Sequence, residues 1–516
     1  MSPRPNAITQ LVIAAAAVSA LVACGARRRR TPDDTLVVVL QVAPTTVDPR
    51  YTLTNYDAAI GKLVAPGLTS VETTTAEPQL ELAAAITRTD PLTVDITLAD
   101  VKFSDGEPVT ADDVVRTYRT VADPQCESLY QKGFEERFAS FETIDAKHAR
   151  FHLKQPLAML MTDLEFGIVS YHGVAPGDCH GPGVVGAGPY KLRYLTPYTA
   201  MLDANPYYPK PPKLPHVELR FVTDTAARIL MLVGGSADLL ENAVRGDLVD
   251  EVAERERVRV STAPSLLLTY MLLNNDDPIL RDLRVRQAIA LALDRPSVID
   301  ARFEGHAVLA SGLLPPSHWA YNADVPRWTR DLPRARALLD QAGYRPGPDG
   351  VRMHLTYKTS SDLFRVAVAH VLAAQLREVG IAVEVRPFEF ATFFADIKKG
   401  SYQIATMQTT PITEPDFYYS YFHSTRIPSK ADPDAQNRWH YRNADLDRVT
   451  AEGRRELDRD KRKQLYAEAQ RLVARDLPII PLWHEDNVVL SNVDVQGYVI
   501  VPDARFAGLP GVTKSW

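Results

Sequence analysis

The residues best placed for chemistry in this sequence lie in one short segment, QTTPITEPDFYYSYFHST at 408–425. Gln408, Thr409 and Thr410 are donors and acceptors without charge, and they suit the hydroxyls or amides of a neutral solute. Phe417, Tyr418, Tyr419, Tyr421, Phe422 and His423 follow. A helix after Asp416 would bury most of these rings, so they read as core more than cleft. Such groups hold a molecule; they do not break it. The constellations of hydrolytic and redox chemistry are absent: there is no G-x-S-x-G, no H-E-x-x-H and no C-x-x-C. His484-Glu485 lacks a second histidine. Residues 181–186 match G-x-G-x-x-G by letter, but Pro182 sits inside and the following GPYKL reads as a strand, where a dinucleotide site needs a helix. A secreted hydrolase is therefore the weaker rival of a binding protein. His172, Cys179 and His180 cluster in YHGVAPGDCHGPG, yet their spacings match no zinc pattern and the Gly and Pro content marks a loop. No metal and no cofactor are expected.

The start of the chain speaks to its compartment. The apolar run from Leu11 to Ala23 is too short to span a bilayer and has the length of a signal-peptide core. It ends in Leu21-Val22-Ala23-Cys24, which resembles a bacterial lipobox in which Cys24 becomes the lipid-modified first residue. Residues 1–23 then read as a signal peptide and 24–35 as a lipidated basic tether. Arg27 to Arg30 sit either at lipid head groups or in water. An ordinary secretory signal with an incidental cysteine is the alternative. The expectation is an exported, lipid-anchored body in the periplasm or on the cell surface. Cys126 and Cys179 remain; an oxidising compartment permits them to pair, and the sequence leaves the pairing open. A net charge of −6 gives no sign of nucleic-acid binding.

Positioning such a segment needs a scaffold, and 516 residues imply two or three domains. Helices and strands alternate. TAARILMLV at 225–233 reads as a helix behind Asp224, and ADLL at 237–240 as a strand. RVRQAIALALDRP at 284–296 puts Val285, Ala288, Ile289 and Ala292 on one helical face, with Pro296 as its stop. Helices are expected at 331–343 and 364–380, each with Gly at its end, and a strand at IAVEVRPF. FATFFADIKKG and YQIATM repeat the helix–strand order. This is the pattern of α/β lobes. In KFSDGEPVTADDVVRTYRTV, Asp105-Gly106 makes a turn, and Thr110 with Asp113 forms a capping box for a helix carrying Val114, Val115 and Tyr118.

The order of these segments resembles that of the peptide/nickel-type solute-binding proteins of ABC importers, family five. KFSDGEPVTADDVV, GAGPYKL (186–192), the stretch 205–239, LNNDDPILRDLRVRQAIALALDR (273–295), LLDQAGY (338–344) and LPIIPLWHE (477–485) stand in that family's order. The resemblance covers the chain from about Leu36 to about Pro502. It implies an α/β fold of the periplasmic binding protein type II kind: two lobes with a hinge and a third, inserted domain. The implied boundaries are 36–61, 185–274 and 484–516 for the first lobe, 62–184 for the insertion and 275–483 for the third lobe. It implies a monomer that closes on a peptide or other small polar solute and delivers it to a permease served by an ATPase. A lipoprotein of the same fold acting as a scaffold or regulator is the alternative; neighbouring permease and ATPase genes would decide between them.

Peptide-binding members resembling this chain carry, in the segment matching 408–425, an aromatic and then an aspartate that pairs with the peptide's ammonium. Here Gln408 and Pro411 stand at those places, and proline accepts no ion pair. Asp416, Asp48 or Glu389 would have to supply the charge, or the ligand is neutral or a blocked peptide; the second reading is slightly favoured. Further candidate ligand contacts lie where strands end at the cleft: Tyr270 and Asn274, Trp483 and His484, and Tyr51 after Asp48.

Overall fold

A computed structural model describes residues 31–516 apart from 72–74, 76, 176, 182, 245–247, 304, 504 and 516. The signal peptide, Cys24 and the arginines Arg27 to Arg30 fall outside the described residues. Among the described residues no helix is long and apolar enough to cross a membrane.

The strand Thr35–Leu40, TLVVVL, is buried along its whole length. Continuous branched apolar residues suit a strand covered on both faces. It pairs in parallel with His216–Phe221 and Leu239–Glu241. The strands Tyr190–Leu195 and Thr199–Ala204 extend the same sheet antiparallel beyond His216–Phe221. In the third lobe, Met353–Ser360 and Ile381–Phe388 are parallel and joined by the helix Leu363–Arg377, a strand–helix–strand crossover unit.

One strand serves both lobes. Ile479–Asn492 is 14 residues long. Its first half pairs with Thr269–Leu273 and Ala307–Leu309. Its second half pairs with Leu239–Glu241 and Val258–Pro264. A single sheet of 12 strands therefore runs through the two lobes. Thr269–Leu273 is bonded to Ile404–Gln408 and so belongs to the third lobe's sheet. Ala307–Leu309 holds Trp483 to Glu485 there as well. The chain passes between lobes at Ser265–Leu268 and at Glu485–Asp486. Residues 265–268 lie between the strands Val258–Pro264 and Thr269–Leu273, and there Ser265 Oγ donates to the Glu485 carbonyl.

The insertion is built on an antiparallel sheet of Ala83–Asp90, Thr93–Leu98, His148–Leu153 and Phe138–Thr143. The helix Ala111–Ala122 covers it, opened by the reciprocal Thr110–Asp113 capping box. Tyr118 on its buried face meets Phe134, Phe138, Phe141, Phe151 and Phe166. A disulfide joins Cys126 to Cys179, with Cα atoms 5.3 Å apart, and ties this helix's end to the Gly-rich loop.

Most expected helices stand where the periodicity places them: Thr225–Val233, Leu332–Gln341 and Phe390–Lys398, with side-chain caps from Asp224, Asp331 and Glu389. The segment 284–296 differs. Its helix is Leu283–Ala292, and a second helix begins at Arg295. Pro296 opens that second helix, where its missing N–H is not needed, and does not stop the first.

Candidate functional site

Two cavities meet between the lobes. The first, about 570 Å³, has Tyr56, Lys62, Tyr130 and Phe166 on one wall and Thr410, Pro411 and Phe417 of the third lobe on the other. The second, about 590 Å³, is lined by Gln41 and Val488 on the first lobe and by Ser360, Phe364, Phe390 and Gln408 on the third. Asn242 and Leu267 line both. They are held by the crossings themselves. Asn242 is left-handed at φ 49°, donates to Asn487 Oδ1 at 2.9 Å and accepts from the Val488 N–H at 2.8 Å. Leu267 donates its N–H to Ser265 Oγ at 3.1 Å. The partition between the cavities thus stands where the chain changes lobe.

The lobes are in contact around this space. Thr162 of the insertion donates to Glu414 Oε1 of the third lobe at 2.8 Å, and Ala158 N–H donates to the Arg454 carbonyl at 3.0 Å. Glu414 Oε2 takes a bond from Arg462 at 2.8 Å. Burial pushes the Glu414 carboxyl up, and Arg462 opposes it.

Gln408 and Trp483 reach the second cavity and Thr410 the first. Of the other sequence candidates only Glu389 lines either cavity, and their polar groups are committed to the fold. Thr409 Oγ1 accepts from the Leu268 N–H at 2.9 Å. Asp416 accepts from the Tyr466 hydroxyl at 2.7 Å and from Arg454 Nε at 3.1 Å, so its charge is answered inside the third lobe. Tyr270 is buried edge-on against Trp439, 5.8 Å between centroids. Asn274 sits at the far end of its strand and donates to the carbonyls of Gly400 and Tyr402. His484 points away from its neighbour Trp483; its Nδ1–H donates to the Leu267 carbonyl at 2.9 Å, and burial lowers the imidazole to about 4, so it is neutral. The Tyr51 hydroxyl donates to the Cys179 carbonyl at 2.9 Å. Asp48 caps the turn Pro49–Tyr51 and pairs with Arg50 at 2.7 Å. Glu389 borders the second cavity but caps the helix Phe390–Lys398.

Apart from Glu414, the charged residues of the first cavity lie on the first lobe and the insertion. Glu165 stands between Lys62 Nζ at 2.5 Å and Arg505 Nη1 at 2.9 Å. Burial works against its ionisation, but Arg505 and Lys62 outweigh it and hold the carboxyl at about 2. Glu241 ends the strand Leu239–Glu241; its Oε2 takes the Tyr498 hydroxyl at 2.6 Å, while its buried Oε1 has no partner. Burial pushes Glu241 up to about 7 against the Tyr498 bond, and Asp503 adds to the rise. Asp503 is also buried; neither of its oxygens receives a hydrogen bond, although Arg505 Nε lies 3.1 Å away. Glu241 follows ADLL, so the rule that sites gather at strand ends could have found it. Asp503 lies beyond the last recognisable motif and gave no signal.

The family model described as bacterial extracellular solute-binding proteins, family 5 Middle, matches residues 77–429. Among curated proteins, the chain is 26% identical over 491 residues to the probable D,D-dipeptide-binding periplasmic protein DdpA of Escherichia coli K12, covering 90% of this chain and 92% of that one. It is 26% identical to the glutathione-binding protein GsiB of the same organism, covering 90% and 91%. Among solved structures, NikZ from Campylobacter jejuni in complex with Ni(L-His) superposes with a TM-score of 0.81 at 23% identity, covering 94% of this chain and 100% of that one. The oligopeptide-binding protein AppA from Bacillus subtilis, in complex with a nonapeptide, gives 0.78 at 23% identity with the same coverage.

Proposed function

We propose, given that this chain belongs to the bacterial extracellular solute-binding proteins of family 5, that it is the tethered receptor of an ABC importer, capturing a peptide or other small polar solute between its lobes and handing it to a permease. It is a solute-binding protein and not an enzyme. The observation that carries the reading is the pair of inter-lobe cavities meeting at Asn242 and Leu267, on the chain crossings. A solute there touches both lobes, so its binding energy favours their closed arrangement. Relatives named for a D,D-dipeptide and for glutathione, and structures holding Ni(L-His) and a nonapeptide, set the range of solute expected.

The receptor reading is tested by denaturing the purified protein and identifying what it releases by mass spectrometry. A stoichiometric small polar solute is the expected result; turnover of a substrate would contradict it. The tether is tested separately. Cys24→Ala is expected to move the protein from the membrane fraction to the soluble one, because acyl chains anchor a body without spanning the bilayer. Retention on membranes after that change would remove the lipid anchor from the proposal.

A further inference from the structure

The first cavity carries an unanswered negative charge. Its lining holds five carboxylates, Asp163, Glu165, Glu241, Glu414 and Asp503, against three cations, Lys62, Arg137 and Arg505. Glu165 takes a bond from Lys62 and one from Arg505, at 2.5 and 2.9 Å. Asp163 pairs with Arg137 and Glu414 with Arg462, and Arg505 Nε lies 3.1 Å from Asp503 in an ion pair, yet Glu241 and Asp503, only 3% and 5% exposed, keep three oxygens that receive no hydrogen bond. Arg137, the remaining cation of this lining, spends Nη1 on Asp163 and Nε on the Gly133 carbonyl. Arg228, which like Glu241 acts on Tyr56, spends its donors on the carbonyls of Ala243, Val222 and Thr223 and on Thr225 Oγ1. A buried carboxylate oxygen without a donor is costly and is normally matched by a partner. Across the cavity the third lobe offers Thr410 and Pro411, which carry no charge, and Glu414, whose charge is taken by Arg462.

We infer that Glu241 and Asp503 form a cation subsite, where an ammonium or guanidinium group of the captured solute supplies the missing N–H donors. The inference rests on the receptor reading above and narrows it to solutes with a positive group. The charge is then read by the first lobe, at the end of Leu239–Glu241, and the uncharged remainder of the solute lies against the third.

The test is calorimetric titration at pH 8 of the purified exported chain with three probes: trialanine, its N-acetyl form and 1,4-diaminobutane. Binding of trialanine or the diamine is expected, with at least tenfold weaker binding in Glu241→Gln and in Asp503→Asn, and at least tenfold weaker binding of N-acetyltrialanine to the unaltered protein. Both substitutions keep shape and remove charge; a thermal melt of each variant confirms that it is folded. Equal binding of the free and acetylated peptides, amine binding unchanged in both variants, or no binding of either amine at millimolar concentration would each overturn the subsite. Failure of the subsite is separable from failure of the receptor reading. A neutral or anionic solute released from the purified protein removes only the former; turnover of a substrate removes the latter.

Discussion

Replacing Arg462 with alanine is expected to cost about 3–5 kcal/mol of stability, the range for removing one partner of a buried ion pair. Arg462 and Glu414 are each 7% exposed at the side chain and meet at 2.8 Å. Without Arg462, Glu414 keeps only the Thr162 hydroxyl on its other oxygen, and Asp416 stands close enough to oppose its charge. A shift in the midpoint of denaturant unfolding at unchanged slope measures the loss. Adding Glu414→Gln to the alanine variant is expected to recover part of it, since the stranded charge is then gone. A loss below about 1 kcal/mol in the single variant, or no recovery in the double, would show that the pair does not hold the third lobe in this way. Because Thr162 belongs to the insertion, the same substitution is expected to loosen the contact between the lobes.

Much of the fold was legible because its signals are local. The capping box at Thr110 and Asp113, the caps at Asp224 and Asp331 and the alternation in IAVEVRPF each depend on a few neighbouring residues. The joining of the lobes depends on pairing between distant segments: Thr269 opposes both Gln408 and Trp483, and nothing within LLLTYMLLN records that. The site was less legible still. Asp416 follows the uncharged segment closely in sequence, yet Arg454 and Tyr466, 38 and 50 residues on, claim it. Whether a carboxylate is spent or available depends on partners brought by the fold, which a sequence read alone does not show. Glu241 and Asp503 stand apart in the chain by most of the third lobe, and only the long strand Ile479–Asn492 returns the second beside the first.

The cation subsite has a signature in solute-free protein. Glu241 titrates at about 7 when folded and at 4.5 in the unfolded chain, so the folded state holds the proton more tightly. Its contribution to stability is complete below pH 4.5 and is lost as pH rises to 7. At about 1.4 kcal/mol for each pH unit, the loss is roughly 3 kcal/mol. Buried Asp503, itself pushed up, and Asp163, held at about 6, add losses of the same sign, whereas Glu165 is already ionised throughout this window. The comparison is therefore between the unaltered protein and Glu241→Gln, which carries the same neighbours, Tyr498 and Tyr56 included. The variant is expected to melt higher at pH 8 and to match the unaltered protein at pH 4.5; superimposable profiles would mean that Glu241 does not carry the charge. A bound amine reverses the slope. It requires the ionised carboxylate, so trialanine or diaminobutane should bind more tightly as pH rises from 5 to 8, over the interval in which the empty protein grows weaker. That opposition distinguishes a carboxylate kept for a cation from one that is merely buried, which would destabilise the fold with rising pH and leave amine affinity unmoved.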